Sequence, residues 1–406
     1  MNSDKAPWAL WTSELSPFGL KVELLCRQAK LPFVCHPQEA GFWQGHKTRR
    51  RVEALQKRKL AITWPPLNDL DELPLVPYLL GPNGENLVDS SAIGYWLQQQ
   101  NPHLTLIPKP DTAARFAMAL IDEALDEFGL YMAHHNRWAV SADDNNAGQR
   151  LGNEMGVLLG PFKRFIANQF PKRQTRRLPY LFSAAEKGRY QHQHQLPQPE
   201  SFPPTQQLLD DAFEQLLNAV EGVYHNQPYL FGKSMTLADA SVLGQLGMNL
   251  YDQSAWSIIE QKAPLTANTI KQHYRQEPPA TEETTGIQLN EAIKPLLQWC
   301  CRYFVPLMQQ NYCAYQQYKT RGETVFNERG FNLRRAIYEG VLQGHPFRSV
   351  AKTFQVACWE ALHQQWKQLP TEEKSALELF LPSDHGLEQL SSPVVLITKD
   401  DSESDN

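Results

Sequence analysis

Between residues 7 and 100 the apolar residues switch repeatedly between strand-like and helical spacing, whereas beyond residue 110 almost all of the chain repeats at helical spacing. That change of period places a domain boundary near residue 105. Pro7 to Thr12 form a short apolar run suited to a strand. Ser16-Pro17 then opens a segment in which Phe18, Val22, Leu25, Cys26 and Ala29 share one helical face. Leu31 to Cys35 offers a second strand, and a basic stretch from His46 to Lys59 reads as helical or irregular. Val76 to Leu80 and Asn86 to Val88 flank Gly81-Pro82-Asn83-Gly84, a turn signal that predicts a β-hairpin. Ser90 to Gln100 returns to helix, with Ile93, Trp96 and Leu97 on one side. The resulting order is β-α-β, a variable region, then β-β-α.

From residue 106 to 255 the spacing predicts a helical bundle. Ala117, Ile121, Ala124, Phe128 and Met132 form one apolar stripe, and Leu209, Ala212, Phe213, Leu216, Val220 and Val223 another. Between them, residues 170–205 are rich in Pro, Gln and basic residues, a composition that favours an extended surface insertion. Thr236-Leu237-Ala238-Asp239 is a capping box that opens a further helix. Helical patterns over Leu289–Met308, Leu333–Leu342 and Phe347–Leu369 describe an additional helical extension over 256–395, and 396–406 is an acidic tail expected to be disordered.

Charge and cysteine usage narrow the functional classes. Lys and Arg number 39 against 44 Asp and Glu, a net charge of -5, which gives no field for a general polyanion binder, so nucleic acid is not an expected partner. No apolar run approaches the ~20 residues of a membrane span, and Met1-Asn2-Ser3-Asp4-Lys5 lacks a basic flank and apolar core, so a cytoplasmic address and no membrane are expected. The six cysteines have no metal-type spacing and read as reduced thiols, Cys26 and Cys358 as small buried hydrophobes. His134-His135 follows Asp122, Glu123, Asp126 and Glu127, but adjacent histidines diverge by about 100° on a helix, so no metal is expected. His192 and His194 read as solvated. Trp359, Trp366, Phe354 and His363 lie on an aromatic late helix, where core packing competes with an acceptor pocket.

Three motifs now stand in order: Ser16-Pro17-Phe18-Gly19-Leu20-Lys21-Val22, Val76-Pro77, and Leu87-Val88-Asp89-Ser90-Ser91-Ala92-Ile93. With them the N-terminal segment resembles the thioredoxin-like half of cytosolic glutathione S-transferases of the serine type. The capping box extends the likeness to about residue 250, and the last 150 residues match no segment of the family. The resemblance implies an α/β thioredoxin-like domain over 1–105 followed by the all-α domain, with glutathione as cosubstrate. It implies that the Val76–Pro77 bond is cis and that Val76 holds the cysteinyl backbone. It also implies that Asp89 and Ser90 receive the γ-glutamyl end, that Phe18 lies in the glutathione site, and that the chain forms a homodimer.

Physical reasons stand beside the likeness. A residue just before a helix sits among N–H groups with no intrahelical partner, in a field that favours an anion. Lowering a thiol pKa by about two units takes roughly 2.7 kcal/mol of selective thiolate stabilisation, and one hydrogen bond to a charged group contributes about 1.5–3 kcal/mol. The Ser16 hydroxyl, donating, could supply it together with the helix end. Taken alone, Ser16 before Pro17 is equally a helix cap, as Asp89-Ser90 is for the next helix. Ser13 could take the thiol role in another loop register. The basic residues from Lys47 to Lys59 could include a partner for the glycyl carboxylate or form a solvated face. The expected activity is attack of the glutathione thiolate on an electrophilic small molecule. The alternatives are a non-catalytic interaction protein on the same fold, or a glutathione-dependent isomerase, dehalogenase or reductase.

Overall fold

The computed structural model describes residues 6–58, 63, 65–66, 70–71, 74–190, 196–199, 201–276 and 287–397; Lys59, His192, His194 and the acidic tail from Lys399 lie outside the described residues. The N-terminal periods produce one mixed sheet in the order β2-β1-β3-β4. β1 (Trp8–Trp11) runs parallel to β2 (Phe33–His36), so a crossover must join them, and α1 (Pro17–Gln28) supplies it. β3 (Tyr78–Leu80) runs antiparallel to β1 and turns back into β4 (Asn86–Val88) through the expected hairpin.

Period-two alternation sorts the sheet into two faces. Leu10, Leu79 and Leu87 join the main core with Val22, Leu25, Ile93 and Leu97. Trp11, Tyr78, Leu80 and Val88 pack on the other side against Val52 and Leu55. The latter belong to α2 (Phe42–Arg58), so the basic stretch is a helix. Arg51 ties it to the hairpin, its guanidinium donating to Asn86 Oδ1 (2.8 Å), Gly81 O (2.9 Å) and Glu85 O (2.5 Å). α3 (Ser90–Gln100) completes this unit. The Val76–Pro77 bond is cis, as the resemblance implied, and so is His36–Pro37, which nothing in the sequence announced.

α4 (Ala113–Ala124) continues through a π-helical turn, Leu125–Gly129, into α5 (Leu130–His135) and a second π turn, Asn136–Val140. α6 (Ala147–Glu154), α7 (Gly156–Leu159), α8 (Lys163–Arg176), α9 (Gln206–Asn226), α10 (Leu237–Gly247), α11 (Gln253–Lys262) and α12 (Pro264–His273) follow. Thr236 and Asp239 cap α10 reciprocally, as the sequence predicts. Gly244 presses that helix onto the start of α1, since a Cβ there would lie 2.5 Å from Pro17 O.

Two expectations fail. The described part of the 170–205 stretch is not extended surface throughout: Pro171 lies within α8, which buries no residue, and Leu178, Phe182, Ser183 and Ala185 enter the core. A short apolar run, Leu178-Pro179-Tyr180-Leu181-Phe182, is hidden by the Pro- and Gln-rich composition around it. Nor is the extension purely helical. After α13 (Lys294–Trp299), α14 (Val305–Thr320) and α15 (Asn327–Asn332), the Leu333–Leu342 pattern folds as β5 (Ile337–Leu342), paired with β6 (His345–Val350). Leu333, Ile337 and Val341 fall four apart and mimic a helix, yet Val341 is exposed while Ile337, Tyr338, Leu342, Phe347 and Val350 are buried. The tight turn is Gln343-Gly344, both at positive φ (52° and 79°). α16 (Thr353–Gln368) and α17 (Thr371–Glu378) precede β7 (Val395–Leu396), which joins the hairpin as a third strand, so the tail cannot begin at residue 396. No helix among the described residues is long and apolar enough to cross a membrane.

Candidate active site

All three parts of the chain meet at one cavity of about 480 Å³. Its first wall contains Phe18, Val76, Pro77, Asp89 and Ser90, which the sequence had picked out from separate motifs. Val76, which precedes β3, lines the cavity, and its N–H and C=O make no hydrogen bond among the described residues. Asp89 has φ 78° and ψ 128°, a strained conformation for a residue with a side chain. Its Oδ1 accepts from Ala92 N (2.8 Å), capping α3, while Oδ2 has no partner among the described residues. The N–H groups of Ser90 and Ser91, in the first turn of that helix, are likewise unpaired. Burial pushes the Asp89 carboxyl up to about 7, against the pull of the Ala92 N–H.

Behind this wall lies a closed polar network. Lys21 Nζ donates to Asp122 Oδ1 (2.7 Å), Asp126 Oδ2 (2.7 Å) and Ser91 Oγ (3.0 Å). Ser90 Oγ donates to Asp126 Oδ2 at 3.3 Å and Ser91 Oγ to Asp122 Oδ2 at 2.7 Å. Burial works against the Lys21 charge, but the two carboxylates more than offset it and hold its pKa above the ordinary lysine value. Burial lifts Asp126 to about 6 despite Lys21. The network fixes the start of α3 to α1 and α4.

At the start of α1, Ser16 caps the helix, its Oγ accepting from Gly19 N (3.2 Å) and donating to no described residue. It does not line the cavity, although Phe18 does. Ser13 is committed elsewhere: its hydroxyl donates to Glu154 Oε2 (2.6 Å) and accepts from Leu15 N (3.2 Å). Of the two serines, Ser16 is the one with a proton to give.

Of the facing wall, the sequence had singled out only Phe354, as one alternative to core packing. The wall combines Leu130 and Tyr131 of α5, Arg173 of α8, Arg177 and Tyr180 beyond it, and Glu328, Lys352, Thr353, Phe354 and Gln355 of the extension. Lys352 Nζ donates to the Tyr131 hydroxyl and lies 4.1 Å from that ring centroid and 4.8 Å from that of Tyr180. Burial lowers the Lys352 pKa to about 7 although Glu127 opposes the shift. Arg177 is held by Glu328 at 2.9 Å. Phe354 lines this wall, whereas Trp359 and Trp366 are core. A lone lysine before a helix carries no signal in sequence; its meaning comes from a tyrosine 221 residues away.

His134 and His135 diverge. His135 Nδ1 lies 2.8 Å from Ser183 Oγ and its Nε2 3.0 Å from Asp210 Oδ1 and Tyr190 Oη, whereas His134 Nε2 faces Gln174 at 3.3 Å. A different group, Glu123, Glu127 and Cys358, brings ligand atoms within 4.8 Å of one another. Burial raises the pKa values of all three, Glu127 to about 7, which favours their protonated forms.

No family model matches the chain, and no curated protein matches it. Among solved structures it is similar to a glutathione transferase from Phanerochaete chrysosporium, with 14% identity, a TM-score of 0.41, and coverage of 66% of this chain and 97% of that one. A glutathione S-transferase from Rhodospirillum rubrum matches at 16% identity and a TM-score of 0.36, over 71% and 91% of the two chains. A glutathione transferase family member from Pseudomonas fluorescens, with two glutathione bound, matches at 12% identity and a TM-score of 0.34, over 67% and 89%.

Proposed function

We propose that this protein is a glutathione transferase-like enzyme that binds glutathione on the first wall of the cavity and presents its sulfur to an electrophile on the second. The observation that carries this reading is the convergence of Phe18, Val76-Pro77 and Asp89-Ser90 on one cavity, with the Val76 N–H and C=O, Asp89 Oδ2 and the Ser90 N–H unpaired among the described residues. An extended peptide adds to a free strand edge through main-chain hydrogen bonds, which is the role assigned to Val76. The free oxygen of Asp89 would take the γ-glutamyl ammonium, and the N–H groups at the start of α3 its carboxylate. Ser16 would donate its unused proton to the sulfur, assisted by the N-terminus of α1. Holding thiolate and acceptor in one enclosed space then converts a bimolecular encounter into a positioned attack.

The direct test is the ultraviolet absorbance of thiolate when glutathione is added to the wild type and to Ser16→Ala. The wild type should show bound thiolate at neutral pH, and the variant should bind glutathione with the thiol pKa raised by about one to two units. Bound thiolate that persists unchanged in Ser16→Ala would move the activating role to another residue. Dimerisation belongs to the same reading and predicts a sedimenting species of twice the 46.4 kDa chain mass.

A further inference from the structure

Two helices hold a positive charge that the rest of the chain does not share. α2 carries six Lys and Arg against one Glu, and α8 five against no acidic residue, in a chain whose net charge is -5. Nor does α8 bury any residue, so its charges face water. Glu53 pairs with Arg49 at 2.8 Å, which leaves Lys47, Arg50, Lys163 and Arg164 exposed and with no ion pair among the described residues.

Exposed rings flank the contact that links these helices. Gly45 of α2 meets α7 so closely that a Cβ there would lie 2.9 Å from Leu158 Cδ2. Phe42 and Trp43 stand within one helical turn before that contact, and Phe162 follows Leu158 through the tight turn Gly160–Phe162 into α8, with Phe165 one turn further on. Phe42, Trp43, Phe162 and Phe165 are 51%, 82%, 72% and 62% exposed. Single apolar residues on a surface need no explanation, but four aromatic rings set around one contact and rimmed by cations form a patch.

We propose that this patch docks the protein on an anionic phospholipid bilayer, with the four rings entering the headgroup layer and the basic faces of α2 and α8 lying along it. The docking needs no membrane span and does not depend on the transferase reading. Its two parts act together. Each cation near the negative surface raises partition about fivefold, and the rings add an apolar insertion that charge alone does not supply. Trp and Phe suit this layer because their large apolar rings leave water there without a closed core around them. A second copy docked through the same face would set like charge against like charge. A nucleic-acid strand would satisfy the cations, but base stacking uses rings held as platforms, whereas Trp43 stands free over most of its surface.

The test is sedimentation of the full chain with sucrose-loaded vesicles of phosphatidylcholine, alone or with about 30 mol% phosphatidylserine, at roughly 0.1 M salt. The protein should pellet with the anionic vesicles, bind the neutral ones at least about tenfold more weakly, and lose most of its binding at about 0.5 M salt. Lys47→Gln combined with Lys163→Gln should weaken partition about 25-fold, and Trp43→Ala combined with Phe162→Ala about tenfold or more. Lys262 and Arg302, exposed bases bonded to Glu214 and Gln215 of α9, provide the control. Lys262→Gln with Arg302→Gln removes the same charge and should change partition by less than about threefold. All variants should keep the wild-type near-ultraviolet circular dichroism. Equal binding to both vesicle types, equal losses from the control and the α2–α8 pair, or wild-type binding by the ring variant overturns the proposal. So does failure to pellet with anionic vesicles, whether the same substitutions then abolish self-association, which would assign the face to a second copy, or capture of a single-stranded oligonucleotide.

Discussion

Two buried lysines stand on either side of one cavity and have opposite fates. Lys21 is bonded to two carboxylates and a hydroxyl, all inside the protein, and its charge is held. Lys352 has a tyrosine oxygen and two aromatic faces but no bonded carboxylate, and its charge is destabilised. Both lysines are buried; what differs is whether the hydrogen-bonding capacity of the ammonium is already spent within the fold.

The largest effect that would sharpen this contrast comes from Lys21→Met. Removing one partner of a buried ion pair leaves its carboxylates uncompensated and costs about 3–5 kcal/mol, so chemical denaturation should show a loss of that order. A loss below about 1 kcal/mol would erase the distinction between the two lysines. Next is Asp89→Asn, which keeps the shape and removes the charge meant for an ammonium. It should weaken glutathione binding by about 30- to 150-fold, from the ~2–3 kcal/mol of a charge-assisted hydrogen bond.

Lys352→Met should act in the reverse direction to Lys21→Met, and with a pH dependence. The folded-state pKa of Lys352 is depressed to about 7 from 10.5, so between these values the unfolded chain binds more protons and wild-type stability rises with pH. The stability cost of Lys352 is therefore fully present below about pH 7, where the variant should be more stable by on the order of 1 kcal/mol. The advantage should shrink toward the ordinary lysine pKa of 10.5. Thermal melts of both proteins at several pH values check the sign. Smallest is Glu373→Gln. Glu373 Oε2 accepts from Ala113 N (2.7 Å), anchoring α17 to the start of α4, where a negative charge contributes about 0.3–1 kcal/mol.

The first wall was legible in the sequence because its parts are local. Ser16-Pro17-Phe18, Val76-Pro77 and Asp89-Ser90 each announce a helix start or a strand entry within a few residues, the resemblance joined them into one candidate site, and Phe18, Val76, Pro77, Asp89 and Ser90 line the cavity while Ser16 does not. The hairpin at Gly81–Gly84 was equally plain. The second wall was not legible, since Tyr131, Arg177 and Lys352 acquire meaning only when α5, the α8 end and the β6–α16 corner meet. Val341 shows the failure in miniature: it falls four residues from Ile337, itself four from Leu333, which mimics a helix, while its actual partner is Pro346 across a hairpin turned by Gln343-Gly344, and its side chain is exposed. The same locality hid Leu178–Phe182, whose flanking residues carry the composition of a loop but whose apolar run enters the core.

The most direct measurement is calorimetric titration of the full chain with S-methylglutathione, which has no thiol proton to confuse the balance, at about pH 6 in two buffers of different ionisation enthalpy. Burial raises the Asp89 pKa to about 7, so at this pH the free protein should hold the carboxyl largely protonated, and it must ionise to receive an ammonium. The account predicts saturable binding with release of up to one proton per site, and in Asp89→Asn a weaker binding from which that proton release is lost. Absence of binding heat in both buffers at millimolar ligand, or binding with no proton released, would contradict it.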